Sequence, residues 1–155
     1  MAIAELHRSE SHLAHDLRAM AARHHSDHDI NHLAKDLAGW SDEHVAALAK
    51  HGRRYRLRLS ATPRRLYLPR WIPERLSNAL RRRPQPALLL LVDLRRVHRE
   101  AAGVSLDWEL LAQGAQAAKD ADLLALTEQC HPQSLRQMRW ANAMLKELAP
   151  QAMFA

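Results

Sequence analysis

The chain has 155 residues and a formal net charge of +6, with four glycines and one cysteine. This length suits a single domain covering 1–155, and the lone cysteine excludes an internal disulfide. β-branched residues are rare, which argues against strands, so the predicted class is all-α.

The N-terminal stretch lacks the apolar core of a secretory signal peptide. The longest apolar run, 87–92, is far too short to cross a bilayer. A cytoplasmic protein without membrane insertion is therefore expected.

The first predicted helix covers about 3–25. Its apolar residues recur three and four apart and so share one helix face: Ile3, Leu6, Leu13, Leu17 and Met20. The second helix covers about 29–51, after a cap at Asp27 or Asp29, with the stripe Ile30, Leu33, Leu37, Trp40 and Leu48. Glu10 interrupts the first stripe and His44 interrupts the second.

Glu10 and His44 lie at the same height if the two helices form an antiparallel hairpin that turns near Ser26 and Asp27. A buried carboxylate needs a partner, because leaving it isolated costs several kcal/mol. Three interpretations follow: a buried Glu–His pair that fixes the helix register, a metal site that uses both side chains, or a rotated stripe that leaves one of them in water.

Histidine is concentrated in the first hairpin, where nine of the eleven precede Gly52. His28 and His32 are four residues apart, a spacing that suits two ligands on one ion. The alternative is a solvated, histidine-rich turn. His98, on an apolar face further along the chain, is a further candidate ligand or an ordinary core histidine.

Residues 52–86 are predicted to form a long crossover, because five prolines exclude a continuous helix. Thirty-five extended residues reach about 115 Å, whereas a 23-residue helix is about 35 Å long. The crossover can therefore return the chain to the far end of a bundle.

The crossover is also strongly basic. Residues 53–83 hold eleven arginines and one acid, Glu74, so this segment carries +10 and the rest of the chain about −4. Nucleic acid or an acidic protein is the predicted partner of its arginines, in particular Arg53, Arg54, Arg56, Arg58, Arg81, Arg82 and Arg83. The alternative is a solvated connection whose arginines pair with the acidic bundle surface or with another subunit.

Helix is predicted to resume over 87–129, either broken near Gly103 or continuous with a kink there; the kinked helix is favoured. Cys130, His131 and Pro132 then predict a break, and a last helix covers 133–148 and stops at Pro150. Across this second hairpin an Asp120–Arg136 ion pair is expected.

Two helical hairpins joined by a long crossover resemble the ferritin-like four-helix bundle. That family's di-iron ligands are a Glu on the first and third helices and Glu-x-x-His on the second and fourth. Glu10 matches the first ligand and His44 matches the second-helix histidine, but Ser41 stands where the Glu would be. The third helix offers Glu100 or Glu109, and the fourth has no Glu-x-x-His. The resemblance implies a ferritin-like fold with half of the metal pattern.

The chain is also similar to a group of small, histidine-rich helical proteins. The shared elements are Trp-Ser-x-x-His-Val at 40–45, Arg-Tyr at 54–55, Arg-Gln-x-x-Trp at 136–140 and Lys-x-x-Ala-Pro-Gln at 146–151. This resemblance implies no particular activity.

Two functions compete at this point, and no enzyme class is predicted. The first is a ferritin-like bundle that binds a transition-metal ion, Fe or Zn, through Glu10, His44 and one or more of His98, His28 and His32. The second is a non-enzymatic interaction or assembly module that acts through 53–83, with a homo-oligomer among the expected assemblies.

Overall fold

The computed structural model describes residues 2–63 and 86–154, and its side chains up to residue 152. Over these ranges the chain forms four long helices and no strand, which confirms the all-helical prediction. The helices are α1 (Ala2–Arg23), α2 (His28–Gly52), α3 (Pro86–Ala117) and α4 (Ala121–Phe154), and a short 3-10 turn at Arg53–Tyr55 follows α2. None of the helices in these ranges combines the length and hydropathy that a membrane span requires.

The first two helices form close to the predicted bounds. The side chain of Asp27 accepts a hydrogen bond from the backbone N–H of Ile30 at 3.1 Å, which caps the start of α2. The predicted stripes are buried except at Trp40, which is partly buried, and at Leu33. Leu33 is 41% exposed and faces outward, because Ala34 rather than Leu33 fills the inward position of that turn.

The second hairpin turns about twelve residues earlier than predicted. α3 ends at Ala117 rather than near 129, and Lys119 adopts a left-handed φ of 53° in the turn. Asp120 then caps α4 by accepting from the backbone N–H of Leu123 at 3.1 Å. Gly103 neither ends nor begins a helix, because α3 runs through it.

The predicted break at Cys130, His131 and Pro132 is wrong, as is the predicted stop at Pro150. α4 passes through both prolines and ends at Phe154. Pro132 is exposed, so the carbonyl that its missing N–H leaves unpaired faces water, where the loss costs least.

The Asp120–Arg136 ion pair is also wrong, because the earlier turn places Asp120 at the start of α4, sixteen residues before Arg136 on the same helix. Asp120 accepts a hydrogen bond from the Tyr55 hydroxyl and one from Arg54 at 3.4 Å. These contacts tie the end of α2 to the start of α4. The hydrogen bond from Tyr55 lowers the pKa of Asp120, and the same bond raises the pKa of Tyr55.

The helices pack in a ring in which α1 contacts α2 and α3, and α4 contacts α3 and α2. The Ser9 hydroxyl donates to Asp107 at 2.8 Å, and fourteen residues further along α1 Arg23 pairs with Asp93. Leucine, valine and alanine fill the space between the helices, with Trp108 as the largest fully buried side chain.

Candidate functional site

Glu10 and His44 meet inside the bundle, as the hairpin geometry predicts. His44 Nδ1 lies 2.7 Å from Glu10 Oε1, and the two side chains are 1% and 0% exposed. Neither stripe is rotated into water. The interpretation that placed one of the two in solvent is therefore wrong.

The pair belongs to a larger hydrogen-bonded group, here called the polar layer, to which all four helices contribute. Glu10 Oε1 also accepts from Trp108 Nε1 at 2.7 Å and from Ser134 Oγ at 3.3 Å. His44 Nε2 donates to Gln133 Oε1 at 2.7 Å. The His44 and Trp108 rings meet edge to face, with centroids 5.5 Å apart.

Both ring nitrogens of His44 face acceptors, which favours the doubly protonated imidazolium. Burial opposes this charge, but hydrogen bonding to Cys130 and Glu10 and the charge of Glu10 outweigh it and raise the pKa of His44 from 6.5 to about 10. The 2.7 Å hydrogen bond between His44 Nδ1 and Glu10 Oε1 is one of the causes that raise this pKa. Glu10 and His44 therefore form a buried ion pair at neutral pH.

Two acceptor oxygens in this region have no hydrogen-bond partner among the described side chains: Glu10 Oε2 and Gln137 Oε1. The Gln137 amide nitrogen donates to the Leu37 carbonyl at 2.8 Å and to Ser41 Oγ at 3.0 Å. A buried acceptor without a partner costs roughly 1–3 kcal/mol. The layer is thus rich in acceptors and short of donors.

The other predicted metal residues lie elsewhere. His98 Nδ1 donates to the Met138 carbonyl at 3.1 Å, which accounts for it as a packed histidine. His28 and His32 are exposed near the hairpin tip, with stacked rings 6.3 Å apart. Across 2–63 and 86–152, no group of three or more His, Cys, Asp or Glu side chains is placed to hold one ion.

A second buried charged cluster lies between α1 and α3. Asp93 is 4% exposed and accepts from His24 Nε2 at 2.9 Å and from the guanidinium of Arg23. The contact between His24 and Asp93 was not predicted from the sequence. An acid two turns into an apolar helix was the signal that could have found it.

His131 does not form a catalytic relay. Its Nε2 lies 2.8 Å from Ser105 Oγ and 3.8 Å from Glu109 Oε1. A relay needs the hydroxyl and the carboxylate on opposite ring nitrogens, whereas here both face the same one. Cys130 is a free, buried thiol.

The arginine-rich segment begins as an ordered arm over 56–63. Arg56 has a left-handed φ of 57°, which turns the chain back so that Leu57 and Leu59 pack on Gly52. A Cβ at position 52 would lie 3.0 Å from Leu59, so glycine allows this approach. His7 Nε2 bonds the Ser60 carbonyl at 2.7 Å and fixes the far part of the arm to α1.

The arm's leucines face inward, so its arginines face outward. Arg53, Arg56 and Arg58 are exposed and pair with no acid among the described residues, whereas Arg54 bonds Asp122 at 2.9 Å. A groove of about 390 Å³ runs between the arm and α1, and its charged and titratable lining consists of His7, Arg8, His12 and Arg58. The predicted partner residues Arg81, Arg82 and Arg83 lie outside the described residues.

Comparison of the chain with protein-family models, with curated proteins and with solved structures finds no match.

Proposed function

We propose that this protein is a ferritin-like helical bundle that acts as a binding module for an acidic macromolecular partner. The order in which contacts occur along neighbouring helices supports this topology. As residue numbers rise along one helix they fall along its neighbour, from Ser9–Asp107 to Arg23–Asp93 for α1 and α3 and from Arg54–Asp122 to Ser41–Gln137 for α2 and α4. Antiparallel neighbours with a long α2–α3 connection correspond to the ferritin-like arrangement.

The position that holds metal in that family is filled here by hydrogen-bonded side chains. Its inward residues are Glu10 on α1, Ser41-x-x-His44 on α2, Trp108 on α3 and Ser134-x-x-Gln137 on α4. Only Glu10 and His44 are of metal-binding type, and both nitrogens of His44 are engaged. Among the described residues, these side chains do not supply the ligand set of a di-iron centre.

One observation carries the binding proposal: Arg56 and Arg58 are held outward on an arm that contacts at Gly52 and Ser60 fix to the bundle, and Arg53 is exposed on the 3-10 turn just before the arm. Surface arginines normally pair or move freely, and a fixed row loses less entropy when a carboxylate or phosphate binds. The groove beside the arm is lined by His7, His12 and Arg8, and Arg8 pairs with Glu5 at 2.6 Å, so among the described residues Arg58 is the cation of the groove that has no acid partner.

An acidic protein surface is the favoured partner class. Base stacking requires a free aromatic ring. The ring of Tyr55 packs against the core and its hydroxyl bonds Asp120, so this aromatic residue is not free to stack on a base.

The test is fluorescence anisotropy of a labelled poly-glutamate peptide and of a single-stranded DNA against the purified full chain. The triple variant R53Q/R56Q/R58Q should bind the peptide at least tenfold more weakly. R136Q/R139Q/K146Q removes the same charge from exposed α4 positions and should bind like the wild type. Affinity should fall steeply as salt rises.

Equal weakening by the two triple variants would reduce the effect to net charge and contradict the proposal. Tight DNA binding with no peptide binding would overturn the choice of an acidic protein as the partner class.

Metal binding remains the second candidate, because Glu10 Oε2 is buried without a hydrogen-bond partner among the described residues and the Cys130 thiol adjoins His44. An ion bound there would have to displace the proton from His44. Elemental analysis of untagged protein, followed by calorimetric titration with Zn²⁺ and Fe²⁺, decides between the two. One tightly bound ion per chain that is lost in E10Q would favour this candidate.

A further inference from the structure

The outward face of α3 carries an apolar stripe that nothing in the described chain covers. Leu88, Val92, Leu106 and Leu110 are 41–58% exposed, and they are four of the five large hydrophobic residues exposed in the described ranges. Leu88 and Leu106 are eighteen residues apart, which is five helical turns, as are Val92 and Leu110. All four therefore lie on one side of the helix.

Gly103 lies within this stripe, exposed in the middle of a 32-residue helix. A Cβ built there meets nothing within 4 Å, so no contact inside the described chain requires glycine. Glycine in a helix interior costs about 1 kcal/mol relative to alanine. A close approach by a second helix would account for keeping it.

Arginines fill the middle of the stripe and decide which arrangement of two copies is allowed. Arg95 and Arg99 lie on the same side as the four apolar residues, with Arg96 and Glu100 beside them. Parallel, in-register helices would place each arginine against its own copy. Antiparallel helices centred on Arg99 place Arg95 against Gly103 of the second copy, where the missing side chain leaves room.

The same antiparallel register pairs the apolar residues. Leu88 then faces Leu110 of the second copy, and Val92 faces Leu106 of the second copy. Two-fold symmetry repeats both pairs, so each of the four apolar residues in each copy has an apolar partner. Arg99 meets its symmetry mate at the axis. Glu100 of the second copy lies within one turn of Arg96 and Arg99, so the two glutamates compensate part of the charge of the six arginines at positions 95, 96 and 99.

We infer that two copies of this chain associate through the outward faces of α3, antiparallel and centred on Arg99. The 88–110 stretch is about 33 Å long, and a single helix pair of this size buries less than a standard interface. The dimer is therefore reversible, with a dissociation constant on the order of micromolar. This inference goes beyond partner binding and does not depend on it.

Sedimentation velocity of the full chain over about 1–200 µM spans the expected dissociation constant. The wild type should move from the monomer mass of 17.7 kDa towards twice that value. L106E/L110E should stay monomeric, with unchanged helicity and thermal unfolding because both positions are exposed. L33E, at an exposed apolar position on α2, should dimerise like the wild type.

Cysteine crosslinking tests the register. R99C should form an intermolecular disulfide under mild oxidation, and L110C should not, because position 110 faces 88 rather than itself. A wild-type monomer at every concentration, or a dimer that survives L106E/L110E, would overturn the inference. Self-crosslinking of L110C would overturn the antiparallel register.

Discussion

The charge on His44 makes the stability of this protein depend on pH in a definite direction. The folded pKa of about 10 lies above the unfolded value of 6.5. The folded state therefore holds an extra proton between these values, so the contribution is complete below pH 6.5 and is lost as pH rises towards 10. At about 1.4 kcal/mol per pKa unit, the loss is at most about 5 kcal/mol.

The assay is urea unfolding at intervals from pH 6 to pH 10 for the wild type and for H44Q. Glutamine keeps a donor for Glu10 but does not titrate, so the difference between the two unfolding free energies isolates His44. That difference should shrink by several kcal/mol across the window. H32Q, at an exposed tip histidine, should show no such trend relative to the wild type. A difference between the wild type and H44Q that stays flat from pH 6.5 to 10 would refute the buried ion pair.

Three other substitutions test the packing. W108F removes one of the donors to Glu10 Oε1 and should lower the unfolding free energy by about 1–3 kcal/mol in urea titrations, and no loss would argue against that hydrogen bond. D93N leaves His24 facing a neutral group and should cost about 2 kcal/mol by the same measurement; a neutral effect would show that the α1–α3 cluster contributes no stability. P132A restores a backbone donor inside α4 and should raise the midpoint of thermal unfolding, while a lower midpoint would show that the bundle depends on the proline.

The first hairpin could be predicted because the sequence marks the position of its turn. Aspartates flank the tip, and apolar residues recur regularly on both sides, so the turn position was known to within a few residues. Once the turn is fixed, the height of every side chain follows from the helical rise. This is why Glu10 and His44 could be paired from the sequence and are found 2.7 Å apart.

The second hairpin could not be predicted because its strongest local signals mislead. A proline after a polar turn usually marks a helix start, yet Pro132 lies inside α4 at an exposed position. The real turn has a lysine in the left-handed conformation, where glycine or asparagine is the usual indication. Placing the turn about twelve residues late shifted every contact across the hairpin, including the expected Asp120–Arg136 pair.

Because the turn was misplaced, most contacts of the polar layer could not be predicted. The indole N–H of a buried tryptophan needs an acceptor, so Glu10 could have been proposed as the acceptor for Trp108. The sequence predicts Gln133 and Ser134 at the start of a helix, whereas they lie inside α4. Their contacts with His44 and Glu10 depend on a register that only the correct turn provides.

Anomalous diffraction from crystals grown with Zn²⁺ tests most directly the claim that side chains close the centre of this bundle. We expect no anomalous peak within bonding distance of His44 Nε2, and we expect the Gln133 side-chain oxygen to stay within hydrogen-bond distance of that nitrogen. A strong peak shared by His44 and Glu10 Oε2, with Gln133 displaced, would contradict it.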